Sequence, residues 1–179
     1  MAEPSVVEDL MPESLPDSMQ AVDLKGHFFD MTGFKTAEGV FYLADCLSSK
    51  AVLDKYRITF IYDVSEYLNT LERVKKSDAK VFIPSHTEVT DDISDLVSYN
   101  IEAVYGVADL ILDLLKSPLT FEKLLQALFE TYGLMMNAEQ YVLAGSTVRS
   151  YLSWLSDSQR ICFDFKDNEM FWRRTERRL

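Results

Sequence analysis

The sequence predicts an α/β fold followed by a smaller helical unit that ends in a two-stranded hairpin. Three observations carry this. Strand-like runs alternate with amphipathic helical runs over the first hundred residues. Polar or ligand-type residues stand directly after two of those strands, where α/β folds gather binding groups. Beyond Asp91 the pattern becomes helical, until two short β-rich runs flank a polar turn near the C-terminus.

The organising stretch is residues 39–47, G-V-F-Y-L-A-D-C-L. Val40, Phe41, Tyr42 and Leu43 favour a buried strand between a glycine and a polar break. The strand delivers Asp45 at its end. That carboxylate is either the cap of the following helix or a ligand group. Cys46, its neighbour, points to the opposite face and is expected to be a buried thiol. The chain's two histidines both stand in loops beside strand-like runs: His27 in L-K-G-H-F-F-D-M and His86 in V-F-I-P-S-H.

Residues 1–20 carry five acids, three prolines and no base, which predicts a mobile or connecting segment. A short strand is expected over 21–24. Residues 33–35 and 40–43 form a hairpin whose turn places Gly39 in a left-handed conformation. A short surface helix follows over 48–55. Ile58, Thr59, Phe60, Ile61 and Tyr62 are β-branched or aromatic and predict a further strand. Asp63, with Glu66 three residues on, opens the clearest helix, whose Val64, Tyr67, Leu68, Leu71 and Val74 recur at helical spacing. Val81, Phe82 and Ile83 form a strand that Pro84 ends, delivering Ser85 and His86.

One long or broken helix over 93–116 follows, with Gly106 as the place of a break. Pro118-Leu119-Thr120 starts another that Gly133 stops, and Asn137 caps a third. Residues 161–165 and 170–173 then pair across Lys166-Asp167-Asn168-Glu169. Three helices and a two-stranded wing are the order of a winged helix. Between Ala138 and Leu155 the third helix has Arg149 as its one basic residue, whereas a groove-reading helix needs several donors. A packing or dimerisation role is therefore expected there rather than specific nucleic-acid binding.

The 179 residues, 47% of them apolar, suffice for a real core in one domain or two small ones. No apolar run approaches the roughly 20 residues that cross a bilayer. The acidic start differs from a basic, apolar signal peptide. Two distant cysteines, Cys46 and Cys162, give no disulfide framework. The expected compartment is the cytoplasm. From Arg160 onward six basic residues face four acidic ones, a net +2 within a total of −11, so the remainder carries −13 and repels nucleic acid.

Gly26-His27, Asp45 and Ser85-His86, in that order, resemble the second half of a metallo-β-lactamase-fold hydrolase. The resemblance extends through Y-D-V-S-E-Y-L-N-T-L-E-R-V-K and K-V-F-I-P-S-H, and the winged-helix-like end is similar to an appendage on some of its members. It implies half of an αββα sandwich over residues 21–100 and a small winged-helix-like α+β domain over 101–179. It also implies metal ligands: His27 for one ion, His86 for the other and Asp45 bridging, with zinc, manganese or iron as the metal and a metal-bound hydroxide as the nucleophile. The H-x-H-x-D-H cluster of that family has no counterpart here, because both histidines are already used. Phe28 and Phe29 stand where the family has small residues, narrowing the pocket mouth, and Asp30 is either a spare ligand or a solvated carboxylate.

The function implied is the C-terminal portion of a metal-dependent hydrolase acting on an ester, thioester, lactone or phosphodiester, inactive as an isolated chain. The alternative is a non-catalytic interaction or dimerisation module that keeps the scaffold. The expected partners are further copies of the chain or a missing N-terminal half, with neither membrane nor specific nucleic acid. The sheet's inner face, with residues such as Phe41, Leu43, Val81 and Ile83, is expected to lack its cover.

Overall fold

The computed structural model describes residues 15–176. The expected mobile or connecting character of residues 1–14 and the Arg177-Arg178 pair lie outside the described residues.

The elements run β1 (Met19–Asp23), β2 (Thr32–Thr36), β3 (Val40–Ala44), α1 (Lys50–Tyr56), α2 (Val64–Lys75), β4 (Val81–Pro84), α3 (Ser94–Leu114), α4 (Phe121–Tyr132), α5 (Ala138–Asp157), β5 (Ile161–Lys166) and β6 (Glu169–Arg174). The first four strands form one sheet in the order β1-β2-β3-β4. β1 and β3 are both antiparallel to β2, and β3 is parallel to β4. Hence β1, β3 and β4 share one direction, and the residues that follow each of them emerge along the same sheet edge. That single fact of topology positions the candidate site.

The hairpin expected between β2 and β3 is present, pairing Phe34 with Tyr42 and Lys35 with Phe41. Gly39 turns it at φ 93°, a conformation open to glycine at little cost. Among the described residues, four of the five helix starts carry side-chain caps: Ser49, Asp63, Thr120 and Asn137 each accept a hydrogen bond from a backbone N–H of the first turn, whereas α3 starts after Ile93 without one. Asp45 therefore caps no helix. Gly133 closes α4 in the left-handed conformation at φ 65°.

Two expectations are corrected, and one point left open is decided. Residues 58–62 form no strand. Their amides are taken elsewhere: Ile61 N–H donates to Thr147 Oγ1 of α5, and Tyr62 and Asp63 N–H both donate to the Gly26 carbonyl. No ladder partner is left for them, and the buried residues Ile58 and Ile61 stand three apart, not two. Gly106 does not break α3, which runs unbroken for 21 residues. Its position is exposed, so nothing competes with the helical hydrogen bonds there.

The second correction concerns the faces of the sheet. Phe41 pairs with Phe82 and Tyr42 with Ile83, and paired residues lie on the same side. Phe41, Leu43 and Phe82 are buried in one cluster with Leu71 and Val74 of α2 and Val97 of α3. They are thus covered by helices. The opposite face carries Phe34, Val40, Tyr42, Val81 and Ile83, of which Tyr42 is exposed and the other four are half-buried. Contrary to expectation, Phe41 and Leu43 therefore do not share a face with Val81 and Ile83.

The buried cluster continues without a gap through Val104, Ile111 and Leu115 to Leu124, Leu128, Val148, Leu152 and Ile161. β5 and β6 pair in register across Asp167 and Asn168, both at positive φ as a tight two-residue turn requires. Leu119, just before α4, exchanges backbone hydrogen bonds with Trp172 at 3.0 and 2.8 Å, which ties the hairpin to the helices.

Candidate functional site

His27 follows β1, Asp45 follows β3 and His86 follows β4, so the topology brings all three to one edge. The link between the last two is direct. Ser85 N–H donates to the Ala44 carbonyl at 3.1 Å, and His86 Nε2 lies 3.3 Å from Asp45 Oδ1. Both side chains are open to solvent, at 64% and 42%. The loop after His86 folds back, and Thr90 bridges to Phe82 through two backbone hydrogen bonds.

Asp45 is aimed by an irregularity in its own strand. The register shifts between Tyr42 and Ala44, and Ala44 has φ 47°, a left-handed conformation uncommon for a residue with a Cβ. A bulge of this kind re-aims the next side chain. Cys46 then turns inward and is fully buried. Burial first, and the Asp45 charge second, push its thiol up to about 12, so it stays protonated and unreactive.

The His27 loop is held by α2. The Gly26 carbonyl accepts from Tyr62 and Asp63 N–H at 2.9 and 3.0 Å, and Thr70 Oγ1 donates to the Lys25 carbonyl at 2.7 Å. Gly26 itself sits at φ 119°, and a Cβ there would lie 2.2 Å from Tyr67 N. Only glycine fits. Burial holds the His27 imidazole below its ordinary value; the Asp45 carboxylate and a hydrogen bond to the Phe60 carbonyl push the other way, and His86 adds to the lowering. His27 therefore feels both other members of the set. Asp30 is exposed.

Beyond the expected residues the structure adds Asn100, a fully buried amide on the apolar side of α3. Its Oδ1 accepts from Ser48 N–H at 3.0 Å and the Tyr67 hydroxyl at 3.1 Å, and its Nδ2 donates to the Ser48 and Leu96 carbonyls. Asn100 thus clamps the loop that begins at Asp45. A sequence signal existed: Val97, Asn100 and Val104 put an amide into an apolar helical stripe.

Imidazole and carboxylate are the donor types that zinc, manganese and iron accept. As placed, they do not close a site. Among the described residues no group of three or more His, Cys, Asp or Glu side chains is arranged to hold a metal ion. The Asp45–His86 contact is a direct one between donors.

No protein-family model matches the sequence, and no curated protein matches it. Solved structures do. A metallo-β-lactamase family protein from Thermus thermophilus superposes with a TM-score of 0.68 at 17% identity, over 87% of this chain and 49% of that one. A β-lactamase domain protein from Burkholderia ambifaria gives 0.65 at 14% identity, over 88% of this chain and 48% of that one. The fold is half of a metallo-β-lactamase fold. The chain spans about half the length of the solved structures it matches. With 87% of the chain matched, the likeness to the metallo-β-lactamase fold runs past residue 100 into the helical region. No helix among the described residues is long and apolar enough to cross a membrane.

Proposed function

We propose that this chain is the C-terminal portion of a metal-dependent hydrolase of the metallo-β-lactamase fold, and that it is hydrolytically silent by itself. The observation that supports this best is the convergence of His27, Asp45 and His86 on one sheet edge, with Asp45 and His86 3.3 Å apart. The three make a partial donor set, completed only by donors supplied from outside the described residues. A closed zinc, manganese or iron site there would supply a metal-bound hydroxide for an ester, thioester, lactone or phosphodiester. Cys46 and Cys162, both free, fit a reducing cytoplasm.

The open face of the sheet favours a second reading, an interaction module that keeps the scaffold. Phe34, Val40, Tyr42, Val81 and Ile83 form an apolar surface of the kind that seeks a partner, either another copy of the chain or an N-terminal half. The Leu119–Trp172 bridge supports the winged-helix-like assignment of residues 101–179, in a packing or dimerisation role.

One preparation tests both readings. Metal content is measured after purification, and hydrolysis is assayed on generic ester, thioester, lactone and phosphodiester substrates with added zinc or manganese. No turnover is expected. Turnover abolished by both Asp45→Ala and His86→Ala would overturn the silence of the isolated chain. Sedimentation should show association that Tyr42→Glu weakens, and a stable monomer at high micromolar concentration would sink the interaction reading.

A further inference from the structure

A cleft of about 390 Å³ lies between the start of α2 and the C-terminal half of α5, beside the His27 loop, whose Gly26 carbonyl accepts from Tyr62 and Asp63 N–H. Two aromatic residues line it, Tyr62 and Trp154, together with Asp63, Val64, Asp157 and the serines 65, 150, 153 and 158. No lysine, arginine or histidine does. The volume suits a small molecule.

The walls are held in place. Trp154 is braced by Tyr151 edge-on at 6.4 Å and by Tyr105 at 6.2 Å. Ser150 Oγ donates to the Tyr62 carbonyl at 2.6 Å, fixing the chain that carries the second ring. The outer side of Tyr62 packs on Phe28 and Phe29 at 6.2 and 6.0 Å.

The electrostatics point one way. Asp157 is the last residue of a helix of 20 residues, where the unpaired carbonyls carry partial negative charge. It makes no ion pair among the described residues. The N-terminus of α2 is the one positive feature, and Asp63 already caps it with Oδ1 at 3.0 Å from Glu66 N. Around the cleft the chain as a whole carries −11. Ring faces attract cations, and more strongly when a carboxylate stands beside them.

We propose that this cleft binds a small organic cation, an ammonium group with an apolar body. The ammonium lies against the faces of Tyr62 and Trp154, with Asp157 as its counter-charge. None of its lining residues is His27, Asp45 or His86, so the proposal stands whether or not the hydrolase reading holds.

The test titrates the full chain with choline chloride by calorimetry, and in a Trp172→Phe variant by fluorescence, where Trp154 is the remaining one of the chain's two tryptophans. Controls are sodium chloride at equal ionic strength and 3,3-dimethyl-1-butanol, the neutral isostere of choline. Saturable binding of choline, weakened at least fivefold by Asp157→Asn and unchanged by Asp91→Asn, is expected. A response no larger than that to sodium chloride, equal binding of the neutral alcohol, or equal weakening by Asp91→Asn would overturn the proposal.

Discussion

Asn100→Ala is the most informative substitution in the core, because the amide holds the loop of a candidate ligand. It removes the partner of three groups: Ser48 N–H, the Ser48 carbonyl and the Tyr67 hydroxyl. The Leu96 carbonyl keeps its helical bond and adds little. Ser48 is part-buried, so water reaches it and each of its groups costs about 1 kcal/mol; the Tyr67 hydroxyl, in a side chain 3% exposed, costs nearer 2 kcal/mol. The expected loss is about 3–4 kcal/mol. Tyr67→Phe alone should cost about 1 kcal/mol, since Asn100 Oδ1 keeps its bond to Ser48. In the double variant no hydroxyl is stranded and only the two Ser48 losses, about 2 kcal/mol together, remain, so the two single losses should exceed it by about 2–3 kcal/mol. Urea unfolding with an unchanged slope measures all three. An Asn100→Ala loss below about 1 kcal/mol, or strict additivity, would refute the clamp.

Gly106→Ala should stabilise the chain by about 0.5–1 kcal/mol, because the site is exposed and nothing lies within 4 Å of an added Cβ; a lower urea midpoint would count against an unbroken α3. The Cys46 thiol, raised from 9.0 to about 12, favours the folded state below its unfolded value, and that contribution is lost as pH rises from 9.0 towards 12. Iodoacetamide at pH 8 should accordingly leave Cys46 unlabelled in the native chain and label it in urea. Duplex DNA at physiological salt should bind weakly and in a strongly salt-dependent way at most, and a nanomolar complex that survives raised salt would contradict this.

The fold was legible where two signals coincided. α2 had both a cap at Asp63 and a helical stripe, and α4 had Thr120 at one end and Gly133 at the other. Residues 58–62 had composition alone. β-branched and aromatic residues suit any half-buried extended backbone, and what decides for a strand is a free ladder edge. Here the Gly26 carbonyl and Thr147 had taken the amides. Both competitors are remote in sequence, so no local pattern could reveal them. Gly106 shows the converse: a glycine weakens a helix by an amount that the packing of Val104, Val107 and Ala108 on either side easily exceeds.

The candidate site was legible because it depends on strand direction more than on side-chain detail. Once β1, β3 and β4 run the same way, the residues after them must share an edge, whatever their identity. Which face of the sheet stays open is a finer question. It depends on register, and a slip of one residue exchanges the two sides. Phe41 and Tyr42 are equally apolar to a reader of the sequence, yet one is 3% exposed and the other 44%. The β3–β4 pairing decides between them, and the same strand then departs from regular pleating at Ala44 to turn Asp45 towards His86. A strained backbone beside a solvent-open carboxylate contributes nothing to the core. Its persistence is best understood if the direction in which Asp45 points matters to the chain's function.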